Sequence, residues 1–317
     1  MSFKTALHAS IRRLPKFITT VPEKKKLNNI KKTDIKFFLP GFFYFLKLLR
    51  EKNLNMHPKF ELSVVAIIKN ERPYLEEWIN YYLTLGVQHF YIYDNESTDN
   101  PSSVLQQFND RITYIKFPGK QRQLDSYNDA LTRFGRLSKY MAFIDADEYI
   151  YLVDDSNDLL TLLNKYFSKK EVGGLAINWQ IFGSSHLEKK PVGLVTDNFV
   201  YRAEKNFKKN HHIKSIVLTQ RTAGFINNPH SAFYLPGCHA VDERGKEIDG
   251  PLSENVNTDI IRINHYFTKS KEEFLMKKAR GRATISSHRT MQDFVDHDQN
   301  KVFDDSMRKY NKKHNLK

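Results

Sequence analysis

Two carboxylates stand two residues apart in Asp145-Ala146-Asp147, directly after the apolar run Met141-Ala142-Phe143-Ile144. In an extended segment such side chains point the same way. They repel one another unless a cation lies between them. A hard divalent ion such as Mn²⁺ or Mg²⁺ prefers oxygen ligands and can also grip a diphosphate. An Asp-x-Asp triplet alone is weak, because many solvated loops contain one to cap a following helix. Its place at the end of a buried strand favours metal binding. Two further polar clusters, Asn70-Glu71 and Asp94 through Asp99, also follow strand-like runs.

The elements that position these clusters read as strand and helix in alternation. Leu62–Ile68 is a β-branched, apolar run of strand length, as a parallel strand covered on both faces requires. Pro73 suits the first turn of a helix whose Leu75, Trp78, Ile79 and Tyr82 share one face and which ends at Gly86. Val87–Tyr93 reads as a second strand, Ser102–Phe108 as a helix, and Ile112–Phe117 as a third strand. Gln121–Phe134 reads as a helix and Tyr140–Ile144 as a fourth strand. The alternation predicts an open parallel α/β sheet, whose ligands bind beyond the carboxyl ends of the strands. All three polar clusters fall at those ends.

Composition sets outer limits. The 317 residues are 40% hydrophobic and 13% aromatic, enough for one large folded domain with appendages. The single cysteine, Cys238, excludes an internal disulfide framework and a four-cysteine zinc site, and reads as a small buried residue. It also suits a reducing compartment. The net charge of +14 is unevenly spread. Residues 1–60 hold 14 Lys and Arg against 3 acidic residues, so they carry 11 of the excess charges and the other 257 residues carry 3. The basic character is thus an N-terminal feature, open to anionic lipid, to RNA or to solvent. The aromatic run Phe42-Phe43-Tyr44-Phe45 lies there between cations, in an apolar stretch far short of the ~20 residues that span a bilayer. It suits a membrane interface or a helix packed on the domain. No zinc-finger or RNP-like motif supports nucleic-acid binding. No Gly-x-Gly-x-x-Gly or phosphate-binding Gly-x-x-x-x-Gly-Lys loop is present, which argues against a dinucleotide dehydrogenase and a P-loop enzyme. A metal-dependent hydrolase or nuclease remains an alternative use of Asp145 and Asp147.

Several ordered motifs together carry a family resemblance. They are Val65-Ala66-Ile67-Ile68-Lys69-Asn70-Glu71, Tyr74-Leu75-Glu76-Glu77-Trp78, the run from Leu85 through Asp99, and Phe143-Ile144-Asp145-Ala146-Asp147-Glu148. Trp179 with Phe182-Gly183-Ser184-Ser185, Lys214-Ser215-Ile216-Val217 and Ile263-Asn264-His265-Tyr266-Phe267 extend the pattern. Over residues 62–283 the chain resembles glycosyltransferase family 2-like and family 92-type enzymes. The resemblance implies a glycosyltransferase-A fold, with a Rossmann-like, mostly parallel sheet flanked by helices. It further implies a metal-dependent, inverting transfer from a nucleotide-sugar donor, UDP-linked in preference to GDP-linked, to a glycan or glycolipid acceptor.

On that resemblance Asn70, Glu71, Asp94, Asn95 and Asp99 line the nucleoside pocket, and Lys120, Arg122 and Gln123 face the donor. His265 joins Asp145 and Asp147 at Mn²⁺ or Mg²⁺, against the alternative of a buried histidine bonded to backbone. Lys269 or Arg282 steadies the departing diphosphate. The catalytic base comes from between the triplet and His265, with Asp242, Glu243 and His230 as candidates and Asp242 preferred. Trp179 either stacks on a sugar ring or packs in the core. His211 and His212 read as surface residues. The resulting organisation is a basic extension (1–59), a catalytic domain (60–285, its nucleotide-sugar half 60–150 and its acceptor half 151–285) and a peripheral polar tail (286–317). The expectation is a cytoplasmic enzyme, with residues 1–55 open to peripheral contact with an anionic membrane.

Overall fold

The computed structural model describes residues 57–154, 158–226, 228–279 and 289–317, together with Leu46. The basic N-terminal segment, and with it the membrane-interface expectation, lies outside the described residues, as do Arg280 and Arg282.

Strand β1 (Phe60–Ile68) is buried from Leu62 onward. Its side chains divide by strand period. Leu62, Val64, Ala66 and Ile68 pack with helix α1 (Arg72–Thr84), while Val65 and Ile67 pack with helix α2 (Gln123–Phe134). Both faces being covered explains why the run is apolar almost throughout. Pro73 sits in the first turn of α1, and Gly86, at φ 86°, takes the left-handed turn that ends it. Strands β2 (His89–Asp94) and β4 (Ser138–Phe143) flank β1 in parallel, and β3 (Ile112–Lys116) pairs with β2 in parallel. The expected parallel half is therefore present, in the order β3-β2-β1-β4.

The second half is mixed. Strand β5 (Glu148–Leu152) leaves the acidic triplet at once, so Asp145 and Asp147 cap no helix. Helix α3 (Leu159–Phe167) follows, its start capped by Asp158 accepting from the Thr161 N–H. Strand β6 (Val172–Ile181) pairs antiparallel with β7 (Ile213–Leu218), and β7 is in turn antiparallel to β4. Strand β8 (His239–Val241) extends the sheet beyond β6. Strand β9 (Ile261–His265) lies parallel to β6 and antiparallel to β5, with His265 opposite Glu148. Helix α4 (Lys271–Ala279) opens on a capping box: the Glu273 carboxylate accepts from the Ser270 N–H, and Ser270 Oγ accepts from the Glu273 N–H.

The C-terminal residues correct one expectation. They are not a peripheral tail. Helix α5 (Met291–His297) lines the main cleft, and helix α6 (Ser306–His314) packs Met307 and Tyr310 against the core. The turn between them runs along Gly183. A Cβ there would lie 2.4 Å from Asn300 Oδ1, so only glycine lets the strand and the turn approach. The neighbouring N–H groups of Ser184 and Ser185 donate to Asp298 and Asn300. The polar composition misleads because these residues satisfy main-chain donors and charges of the domain instead of water.

Asp304 is the main tie. Its carboxylate accepts from Arg202 at 2.7 Å and Arg262 at 2.9 Å. Burial works against its charge, but Arg262 and the Ser306 and Arg202 hydrogen bonds lower its pKa to about 2. A carboxylate depressed on folding adds stability above its ordinary value of 3.8 and loses it as pH falls toward 2. Asp304→Asn should therefore destabilise the protein at pH 7 by about 3 kcal/mol, since removing one partner of a buried pair costs ~3–5 kcal/mol. In urea titrations the gap between wild type and variant narrows from pH 4 to pH 2. An equal gap at both ends would contradict this account.

Candidate active site

A cleft of about 370 Å³ opens at the carboxyl ends of β1 and β4. There β2 lies to one side of β1 and β4 to the other, the switch point at which open α/β sheets bind ligands. Ile67, Lys69 and Glu71 come from the end of β1, Asn95 from the end of β2, and Asp145, Ala146 and Asp147 from the end of β4.

Helix α1 fixes the backbone that leaves the triplet. Trp78 Nε1 and the Tyr82 hydroxyl both donate to the Glu148 carbonyl, at 3.0 and 3.1 Å. The Ile150 N–H donates back to the Tyr82 hydroxyl at 3.1 Å. All these groups are buried, so each bond is held without competition from water. The apolar face of α1 thus does two tasks: it packs on β1 and it locks the start of β5.

Each aspartate of the triplet meets a buried lysine. Asp145 accepts from Gln123 Nε2 at 2.8 Å and Tyr127 Oη at 3.2 Å, and lies 3.2 Å from Lys214 Nζ. Lys214 is fully buried and also lies 3.5 Å from Glu148, itself fully buried. Burial alone would strip the proton from Lys214, but Asp145 and Glu148 hold its pKa well above the ordinary value. Glu148 is pushed up by burial and by the two aspartates, with Lys214 opposing. Its Oε2 accepts from the Asp145 N–H at 2.9 Å, which fixes the turn between the strands.

Asp147 pairs with Lys277 of α4, and its Oδ1 lies 3.6 Å from His265 Nε2. Burial opposes the Asp147 charge, but Lys277 and then His265 hold its pKa well below the usual carboxylate value. Lys277 also donates to the Phe267 carbonyl at 2.9 Å and lies over the Phe267 ring. Asp147 is thus a firm anion on the cleft wall.

Four histidines line the same cleft: His212, His230, His265 and His297. Burial lowers the pKa of each, that of His297 to about 3, so all four are neutral at pH 7. Three have a fixed tautomer. Nδ1 of His212, His230 and His297 lies 3.1, 2.9 and 2.7 Å from the carbonyl oxygens of Lys209, Ile213 and Asp293. A carbonyl only accepts, so each Nδ1 carries the proton and each Nε2 carries the lone pair.

Trp179 sits among these rings. His212 stacks on it at 4.9 Å, His265 tilts against it at 4.2 Å and His230 meets it edge-on. Imidazoles therefore occupy the position in which a sugar ring was expected to stack. Its indole N–H is buried and has no hydrogen-bond partner, leaving a donor at the cleft wall.

The structure gathers some expected residues and disperses others. Glu71, Asn95, Gln123, Asp145, Asp147, His230 and His265 line the cleft. Asp94 does not. Its carboxylate is consumed by the Ser97 N–H, the Tyr114 hydroxyl and Lys116, and orders the loop after β2. Asn70 and Asp99 line a separate cavity, where Asn70 accepts from the Thr98 N–H and Asp99 from the Arg72 N–H. Lys120 is exposed, and Arg122 lies over Phe117 and pairs with Asp125. Neither borders the cleft. The preferred base is also displaced. Asp242 accepts from the N–H groups of Arg244 and Lys246 in a turn beyond β8, and Glu243 accepts from those of Asp259, Ile260 and Ile261. Both carboxylates hold backbone, away from the cleft.

Lys214, His212 and His297 were not foreseen as cleft residues. Lys214 carried a usable signal: a lysine in the largely apolar run Ile213–Leu218 must find a carboxylate if that run is buried. His212 gave none, since a lysine-flanked position reads as solvated.

Among the described residues no three His, Cys, Asp or Glu side chains converge as a metal cluster. Asp147 and His265 nevertheless offer a carboxylate oxygen and a neutral imidazole nitrogen side by side. Mg²⁺ and like ions are often held by one or two protein groups, with phosphate oxygens and water completing the shell. The pair fits that mode, whereas Asp145 is turned to Gln123, Tyr127 and Lys214.

Comparison with known proteins follows the same line. The family model for glycosyltransferase family 92 matches residues 65–315. A glycosyltransferase family 92 protein of Ricinus communis is 27% identical over 237 residues, covering 74% of this chain and 40% of its own length. One of Arabidopsis thaliana is 26% identical over 192 residues, covering 57% and 33%. The chain thus spans about a third to two-fifths of these relatives. Among solved structures, Staphylococcus aureus TarS 1–349 in complex with UDP matches with TM-score 0.34 at 15% identity, over 50% of this chain and 47% of that one. A mannosyltransferase from Pyrobaculum calidifontis in complex with GDP-Man and Mn²⁺ matches with TM-score 0.31 at 17% identity, over 44% and 43%. Both structural likenesses are too slight to align individual residues. The family match runs from β1 through α6, across every element that builds the cleft, and on it this chain belongs to glycosyltransferase family 92.

Proposed function

We propose that the chain transfers a sugar from a nucleotide-sugar donor, UDP-linked, to a hydroxyl of a glycan or glycolipid acceptor, with inversion, on a glycosyltransferase-A framework. The observation that carries this reading is the anionic Asp147 beside neutral His265 at the switch point of the sheet. Glu71 and Asn95 beyond the strand ends and Gln123 at the start of α2 border the space in which a base and ribose would lie. Asp147 and His265 hold Mn²⁺ or Mg²⁺. When bound, that ion offsets charge growing on the departing nucleoside diphosphate. Asp145, held by Gln123, Tyr127 and Lys214, keeps the triplet in place and adds negative potential to the cation site.

With Asp242 and Glu243 bound to backbone, His230 is the remaining base candidate. Its Nδ1–H is committed to the Ile213 carbonyl, so Nε2 takes the proton from the acceptor hydroxyl. The Trp179 N–H and His212 Nε2 supply a donor and an acceptor to orient that hydroxyl. A peripheral contact between residues 1–55 and an anionic membrane on the cytoplasmic face would hold the enzyme beside such acceptors. Most of the excess positive charge lies in that segment. Nucleic acid is the less favoured partner.

Three outcomes test this reading. Isothermal calorimetry with a donor panel should show UDP-sugar binding that strengthens with Mn²⁺ and is lost in Asp147→Ala; equal binding without the ion would reject the metal assignment. His230→Gln should lower kcat for transfer by roughly 10²–10⁴, the usual range for a general base, and leave donor affinity intact. A smaller loss would remove His230 from the chemistry. Deleting residues 1–55 should abolish co-sedimentation with vesicles of phosphatidylserine and phosphatidylcholine; unchanged recovery would reject the membrane contact.

A further inference from the structure

A second cavity, of about 240 Å³, lies between the first turn of α1 and helix α4. Lys277 borders both this cavity and the main cleft. Across Tyr74, Lys190 and Glu273 it continues into a third space of about 420 Å³. Small-molecule sites run from ~300 to 1,000 Å³, so the two together reach that size.

Its polar groups are unusual for a packing defect. Thr268 is 1% exposed, and among the described residues its hydroxyl has no hydrogen-bond partner. Asp99 accepts from the Arg72 N–H with one oxygen, while its other oxygen is buried with no partner among the described residues. Lys269 is 4% exposed, and among the described residues its ammonium forms no hydrogen bond, with Glu77 and Asp147 in electrostatic range only. It lies 4.0 Å from the Tyr74 ring centroid instead. The Lys269 backbone is left-handed, at φ 49°, a conformation that costs a non-glycine residue ~1–3 kcal/mol and clusters at binding sites. A buried hydroxyl and a buried carboxylate oxygen without partners each carry a desolvation penalty. Two in one cavity, beside an ammonium whose contact is a ring face, mark groups that await a ligand.

The ligand must offer donors to Asp99 and acceptors to Lys269, with Thr268 able to serve either way. A simple anion fits poorly, because Asp99 and Glu273 line the cavity and balance Lys190 and Lys269. A polyol fits. We propose that this cavity is a carbohydrate subsite, holding a sugar unit of the acceptor beyond the one at the main cleft. The acceptor is then a glycan of at least two units. The proposal rests on the transferase reading for the ligand's role, though not for its binding.

The test is saturation-transfer NMR on the full-length chain with methyl β-D-galactopyranoside, methyl β-D-glucopyranoside and methyl α-D-mannopyranoside. Inorganic phosphate serves as the anionic control and uridine diphosphate with Mn²⁺ fills the main cleft. At least one pyranoside should receive saturation. Thr268→Val and Asp99→Asn should each reduce that signal about fivefold, the effect of losing one hydrogen bond of ~1 kcal/mol. Lys269→Met replaces either variant if its melting temperature falls. The proposal fails if no pyranoside is saturated, if the substitutions leave the signal unchanged, or if phosphate or uridine diphosphate removes it. Nucleotide-sugar turnover on the same preparation separates the two readings. Binding without turnover would sink the transferase assignment alone, and turnover without binding would sink this subsite alone.

Discussion

A lysine with no contact to water sets the terms for the rest of the site. An ammonium moved into a protein interior costs several kcal/mol unless opposite charge meets it in good geometry. Lys214 is placed there by β7, an antiparallel strand wedged between β4 and β6. The only way to keep it charged is to bring carboxylates to it, and Asp145 and Glu148 come from the turn that follows β4. The reversed strand and the acidic turn are therefore mutually dependent. Asp147, two residues on, is left facing the other wall, where Lys277 and His265 await it. The two aspartates are thus fixed from opposite sides, Asp145 by Lys214 and Asp147 by Lys277, and both border the cleft.

The parallel half of the fold was legible because its physics is local. Strands covered on both faces must be apolar along most of their length, and β1, β2 and β4 are, with their polar residues mainly at the ends. The ends of such strands mark a cleft, so Glu71, Asn95, Asp145 and Asp147 could be placed without knowing the pairing. Asp94 and Asp99 were misjudged for the same reason that made them conspicuous. Turn residues rich in oxygen satisfy backbone N–H groups as readily as they bind ligands. Asp242 and Glu243 fell to the same ambiguity: a carboxylate that accepts two or three backbone N–H groups looks identical in sequence to one poised for proton transfer.

The remainder was hidden in long-range contacts. Nothing near His212 or Lys277 reveals that β9 will bring His265 between them, or that a polar C-terminal stretch will lay His297 against Phe267. Gly183 is informative only once the segment it admits is known. Such positions depend on separations of a hundred residues or more, as in the Ser184–Asp298 and Lys277–Asp147 contacts. Periodicity and local propensity carry no record of them.

The fixed imidazoles have a consequence for how the cleft meets its substrates. Three of its acceptors are uncharged nitrogens whose orientation is set by main-chain carbonyls. On the proposed function, a polyhydroxylated acceptor would settle on them without shedding or recruiting counter-ions, whereas the nucleotide would engage the cleft's charged groups. Dissolved salt, which screens only charge, would then loosen the nucleotide more than the part of the acceptor that rests on these imidazoles.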